Sequence, residues 1–173
     1  MILGLSMATF IAVHVVLSLI AIATGLAALA AMVQGKLAGV TTTVFLATTI
    51  LTSVTGFPIP PYGFDPPRAF GVASLVLLAL ALLGLYAFKL AGAWRRIYVI
   101  TALAALYLNC FVAVVQTFQK VAFFHALAPT QSEPPFAVAQ ILLLGTFIAL
   151  GVLAVRRFHP LPGTPAAARA TAG

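Results

Sequence analysis

Apolar residues run almost without interruption along this chain, broken by short polar or proline-rich stretches. Five runs reach the roughly 20 residues that a helix needs to cross a hydrocarbon core. They fall at about 8–33, 38–57, 69–90, 97–121 and 136–155. The pattern predicts an all-α, polytopic membrane helix bundle with five transmembrane helices in a single domain spanning 1–158. The fourth run is expected to continue as helix through "QKVAFFHAL", until Pro129 stops it. The first run resembles a secretory signal peptide only superficially. No Lys or Arg precedes it, and it is far longer than the 7–15 residues of a signal core, so it reads as a retained helix.

Composition agrees with the pattern. The chain of 173 residues is 63% hydrophobic and 6% charged, against about 25% charged in soluble domains. So few charges cannot cover a surface that faces water. The formal charge is +7, but the basic residues sit at the ends of apolar runs. They therefore point to membrane orientation and not to nucleic acid. Lys36, Lys89, Arg95, Arg96, Arg156, Arg157 and Arg169 fall on one side of a five-span chain. Arg68 and Lys120 fall on the other, together with both acids, Asp65 and Glu133. The positive-inside rule then places the N-terminus out and the C-terminus in. The lone Cys110 excludes an internal disulfide and a cysteine-based metal cluster.

The two outer loops, "FPIPPYGFDPPRAF" and "LAPTQSEPPF", are rich in proline and aromatics. Phe57, Tyr62, Phe64, Phe70 and Phe136 suit the membrane interface. Such loops serve as stiff anchors, or as a cap over an outward pocket. On the inner side, "KLAG" occurs at Lys36–Gly39 and again at Lys89–Gly92. If the echo reflects a duplicated hairpin, it predicts a pseudo-twofold four-helix core with the fifth helix added. The tail 159–173 has no apolar period and is expected to be disordered on the inner side.

Polar residues within the runs are the candidates for chemistry. On the second helix, Thr41, Thr48, Thr52 and Thr55 fall within about 60° of one another. Thr42, Thr49 and Ser53 form an adjacent stripe. This face serves helix packing or lines a hydrated path. On the fourth helix, Asn109, Gln116 and Lys120 lie within about 20° of one line, with Gln119 to the side. Lys120 can snorkel at the outer boundary. Asn109 is near mid-membrane and should face other helices, with the threonine face of the second as the expected partner. With His14 of the first helix, these residues make a candidate outer polar pocket, able to take a quinone headgroup or small polar solute. His14 shares a small-residue stripe with Ser18, Ala21 and Gly25 and should look into the bundle. His14 and His125 are the candidate ligands for a b-type haem or a metal, if their helices are neighbours. No acid lies inside a span, which disfavours an acid-based proton relay. P-loop, HExxH and GxSxG signatures are absent.

The segments "GAWRRIYVITALAAL", preceded by "KLAG", and "HVVLSLIAIATGL" resemble a broad group of small, poorly characterised bacterial inner-membrane proteins. The resemblance implies a four- to five-helix bundle, and for some members a b-type cytochrome. Trp94 and Arg95 stand where that group carries a histidine–arginine pair. The leading expectation is a multi-pass protein of the bacterial inner membrane. It would be a non-enzymatic small subunit or accessory protein that packs with itself or with a larger membrane complex. The alternatives are a redox protein holding haem b or quinone near the outer face, and a small-solute transporter or channel.

Overall fold

A computed structural model describes residues 4–60 and 66–160, without the side chain of Pro67. The expectations for Tyr62, Phe64 and Asp65, and for most of the tail 159–173, lie outside the described residues. The described chain is helical: α1 (Met7–Val33), α2 (Gly39–Gly56), α3 (Pro66–Leu82), α4 (Trp94–Lys120), α5 (Ala122–Leu127) and α6 (Pro134–Arg157). A single π-turn, Leu83–Ala87, prolongs α3. Five helices, with α3 and its π-turn counted as one, are long and apolar enough to cross a membrane.

Local chemistry sets the helix ends. Ser6 caps α1 by accepting the Thr9 N–H at 3.1 Å. At the other end Gly35 takes φ 78°, a left-handed conformation that costs glycine little. Its N–H reaches the Met32 carbonyl at 2.9 Å, and Lys36 N–H reaches Ala31 at 2.9 Å. The two bonds close a Schellman turn that points the chain into α2. Proline enters α3 and α6 in their first turns, where its missing N–H costs nothing. Two arginines bond carbonyls at helix C-terminal ends, where positive charge is favoured. Arg68 donates to Phe57 and Ile59 just past α2, at 3.3 and 2.8 Å. Arg95 donates to the Phe158 carbonyl just past α6.

The first four long helices close a ring: α1 on α2, α2 on α3, α3 on α4, and α4 back on α1. Helix α6 lies outside it, against α4 and α1. The core follows from this arrangement. Phe45 and Leu46 of α2, Leu78 and Ala81 of α3, and Tyr98, Ala102, Ala105 and Leu106 of α4 are all at most 2% exposed. Burial is deepest along the first half of α4, which is touched from several sides. Gly25 is the point of closest approach on α1. A Cβ there would meet Leu106 Cδ1 at 2.5 Å and the Phe45 ring at 2.9 Å.

One expectation is corrected. The fourth helix does not run on through "QKVAFFHAL". At Val121 the backbone turns extended (φ −94°, ψ 115°) and α5 begins as a separate segment. Pro129 therefore ends nothing continuous with α4. The two "KLAG" copies also differ in conformation. In the first, the left-handed residue is Gly35, just before the copy. In the second, Lys89, Leu90 and Gly92 all have positive φ (47°, 60° and 53°). The π-helical segment Leu83–Ala87 that precedes them has no counterpart at the first hairpin, where the one bond of that span, Lys36 N–H to the Ala31 carbonyl, belongs to the Schellman turn.

Candidate functional site

Polar groups inside an apolar bundle must find partners, because an unpaired group in hydrocarbon costs several kcal/mol, roughly. Most threonines of α2 find one within their own helix. Thr48 bonds the Val44 carbonyl, Thr49 that of Phe45 and Thr55 that of Leu51, each at 2.7 Å. The buried part of the predicted face is Thr42, Thr49, Thr52 and Ser53. Thr41, Thr48 and Thr55 sit half-buried at its margin.

The structure divides the predicted outer pocket. Asn109, half-buried, directs Nδ2 to Thr49 Oγ1 at 3.5 Å and so joins α4 to α2. Gln116 goes elsewhere: its amide reaches Gln119 of the same helix at 3.4 Å. Gln119 donates to Gln131, and Gln131 donates to the Val115 carbonyl at 2.9 Å. Helix geometry alone puts Gln116 above Asn109, but the loop after α5 draws Gln116 into a separate amide cluster. His14 Nδ1 lies 2.9 Å from Thr55 Oγ1, with its ring over Gly56, where it pins α1 to the end of α2. The Lys120 ammonium is exposed at the end of α4, within electrostatic range of His14.

His125 is exposed on α5, and its Nδ1 faces the Phe118 carbonyl at 3.3 Å, near the C-terminal end of α4. The break at Val121 makes this contact possible. Helix α5 packs on α4, whereas His14 sits against α2. A bis-histidine haem needs two imidazoles on facing helices that flank one cleft. Two crevices in the bundle, described below, are lined by neither His14 nor His125. Among the described residues no three His, Cys, Asp or Glu side chains are grouped to hold a metal.

Sequence reasoning missed three polar features. Gln140 of α6 donates to the Phe111 carbonyl of α4 at 3.4 Å, a bond between helices. Thr43 and Tyr86 place their hydroxyls 3.2 Å apart, between the start of α2 and the π-turn. Beside them lies a crevice of about 580 Å³, lined by Leu37, Gly39, Val40, Thr42, Thr43, Val44, Leu85 and Tyr86. Thr42 borders it with its hydroxyl enclosed, and the Tyr98 phenol faces Thr42 from α4. Both are buried, and neither makes a hydrogen bond of normal geometry. The missing signal is register. A π-turn adds one residue to a helical turn, so 3.6-residue periodicity cannot place Tyr86.

A second crevice, about 430 Å³, runs between α4 and α6 and is almost wholly apolar, with Arg156 at one end. No family model, curated protein or solved structure matches the chain. The five apolar helices are compatible with a multi-pass integral membrane protein.

Proposed function

We propose that this chain is a non-enzymatic small subunit or accessory protein of the bacterial inner membrane. It packs with itself or with a larger membrane complex, with its N-terminus outside and its C-terminus inside. The carrying observation is how polar side chains within the spans are used. Asn109 to Thr49, His14 to Thr55 and Gln140 to Phe111 each tie one helix to another. That usage specifies a bundle rather than presenting reactive groups to a substrate. The charge asymmetry of the short loops supports the orientation. The resemblance of "GAWRRIYVITALAAL" to small bacterial inner-membrane proteins supports the location. The fifth span is the least buried of all. Its outward residues, Val138, Ile141, Leu142, Ile148 and Val152, are available to lipid or to another protein.

A photo-crosslinking amino acid at Ile141 or Ile148, activated in native membranes, tests the role. The subunit reading expects a discrete cross-linked protein band that depends on the labelled position. Adducts to lipid alone at both positions would contradict it. The transporter alternative rests on the α2 face, yet Thr42, Thr49, Thr52 and Ser53 are buried there.

A further inference from the structure

The crevice between α4 and α6 combines an apolar body with a basic end. On α6 its lining runs from Leu144 to Arg156 and on α4 from Val99 to Tyr107. At 1.5 Å per residue these stretches are about 18 and 12 Å long. Half of a hydrocarbon core of roughly 30 Å is about 15 Å, so the groove is as long as one leaflet is deep. Two small residues, Ala104 and Gly151, lie in its walls and leave the space between the bulkier side chains. A Cβ on Gly151 would meet Leu103 Cδ2 at 3.5 Å, an ordinary contact, so the groove has room for more atoms at that point.

Charge marks one end only. Arg156 lines the groove there, exposed and without an acceptor among the described residues. Arg96 of α4 is exposed and equally without one. It lies within about 40° of Ile100, Leu103 and Tyr107 around the helix, so it continues the groove-lining stripe by one turn. The Arg95 bond to the Phe158 carbonyl, with the Tyr98 and Phe158 rings 5.8 Å apart, holds the start of α4 beside the end of α6. Arg96 and Arg156 therefore belong to the same end. Arg96 also stands in the first turn of α4, where the helix dipole disfavours positive charge unless an anion is near. The one acid among the described residues, Glu133, precedes α6 at its opposite end.

We propose that this groove holds an anionic phospholipid, with one acyl chain along α4 and α6 and its phosphate between Arg96 and Arg156. The length of one leaflet matches the chain, and the two unpartnered guanidinium groups match the phosphate. Basic residues at the headgroup ends of membrane helices are a common recognition element for anionic lipid heads. No acid is at hand to receive the ammonium of a zwitterionic head, which selects a net negative one. The proposal needs the helices to sit in a bilayer and is independent of the subunit role. Ile148 borders the groove and Ile141 does not, so cross-linking at Ile141 tests that role separately.

Native mass spectrometry of the full chain, stripped of lipid in dodecyl maltoside, counts bound lipid by mass. Dioleoylphosphatidylglycerol and dioleoylphosphatidylcholine carry the same chains and differ only in the head. The first is expected to saturate a single tight site and the second to bind at least about fivefold more weakly. Arg96→Gln and Arg156→Gln should each weaken the phosphatidylglycerol site about fivefold, the contribution of one arginine near an anionic head. Arg157→Gln removes the same charge from the same turn of α6 but off the groove, and should leave binding unchanged. Gly151→Leu fills the groove and should abolish the tight site, whereas Gly145→Leu, with open space around it, should not. If Gly151→Leu fails to fold, the arginine series decides alone. Equal binding of the two lipids, or an Arg157→Gln loss as large as that of Arg156→Gln, overturns the proposal. So does a dimer that carries no lipid and is lost in Gly151→Leu, because the groove would then belong to a second copy.

Discussion

Gly25 offers the sharpest test of how the ring is packed, because the same substitution can be made where nothing opposes it. In Gly25→Ala the new Cβ would stand 2.5 Å from Leu106 Cδ1 and 2.9 Å from the Phe45 ring. Carbon atoms prefer about 3.5–4.0 Å, so Leu106 must retreat by roughly 1 Å. It has little room, since Leu106 and Phe45 are each only 1% exposed. Overpacking of this kind costs about 1–3 kcal/mol. In Gly145→Ala on α6 the new Cβ meets nothing within 4 Å. Both changes gain the same intrinsic helix preference of alanine over glycine, about 1 kcal/mol, so that contribution cancels between them. Gly25→Ala should therefore be less stable than Gly145→Ala by about 1–3 kcal/mol. Reversible unfolding in mixed dodecyl maltoside and dodecyl sulfate micelles, followed by Trp94 fluorescence, measures the difference. Equal stability of the two variants would refute the close α1–α2–α4 approach.

Further outcomes follow from two side chains, Asn109 and Glu133. Asn109→Leu loses one long interhelical bond, while Thr49 keeps its bond to Phe45 at 2.7 Å; the same unfolding assay should show a loss of about 0.6–2 kcal/mol. Asn109→Asp places a charge near mid-membrane and should cost more, about 2.5–3.5 kcal/mol. At the start of α6, desolvation opposes ionisation of Glu133. The Thr130 hydroxyl and the Thr130 and Ser132 N–H groups outweigh it and hold the carboxyl below its ordinary value of 4.5. A depressed folded value means that this loop closure contributes fully above the ordinary value and is lost as pH falls through the folded one. Hydrogen exchange at the Thr130 and Ser132 amides should show opening in acid for wild type. Glu133→Gln should behave the same at all pH values.

Much of the architecture is written in the apolar runs, because hydrocarbon thickness and helical rise constrain length directly. Hence the spans match at every helix to within three residues at either end. Helix faces were also legible where they depend on one helix alone. Ala21 and Gly25 turn inward on α1, and Thr42, Thr49, Thr52 and Ser53 turn inward on α2. The outer polar cluster was less legible, since partners depend on loops. Gln116 bonds toward Gln131 of the α5–α6 loop, which no helical wheel of α4 contains. The break at Val121 lacks a glycine or proline of its own, and the inner crevice depends on a π-turn. The Val121 break and the crevice beside the π-turn both arise from how segments dock, not from local preference.

Disulfide cross-linking between Thr49 and Asn109, each replaced by cysteine in a Cys110→Ala background, most directly tests whether polar residues inside the spans organise the bundle. A protease site in the loop between α2 and α3 lets the bond be read on a gel. In native membranes the Thr49–Asn109 pair should cross-link readily on mild oxidation, while cysteine at exposed Val54 should not reach Asn109. No cross-link at Thr49, or an equal one at Val54, would contradict the arrangement of α2 against α4.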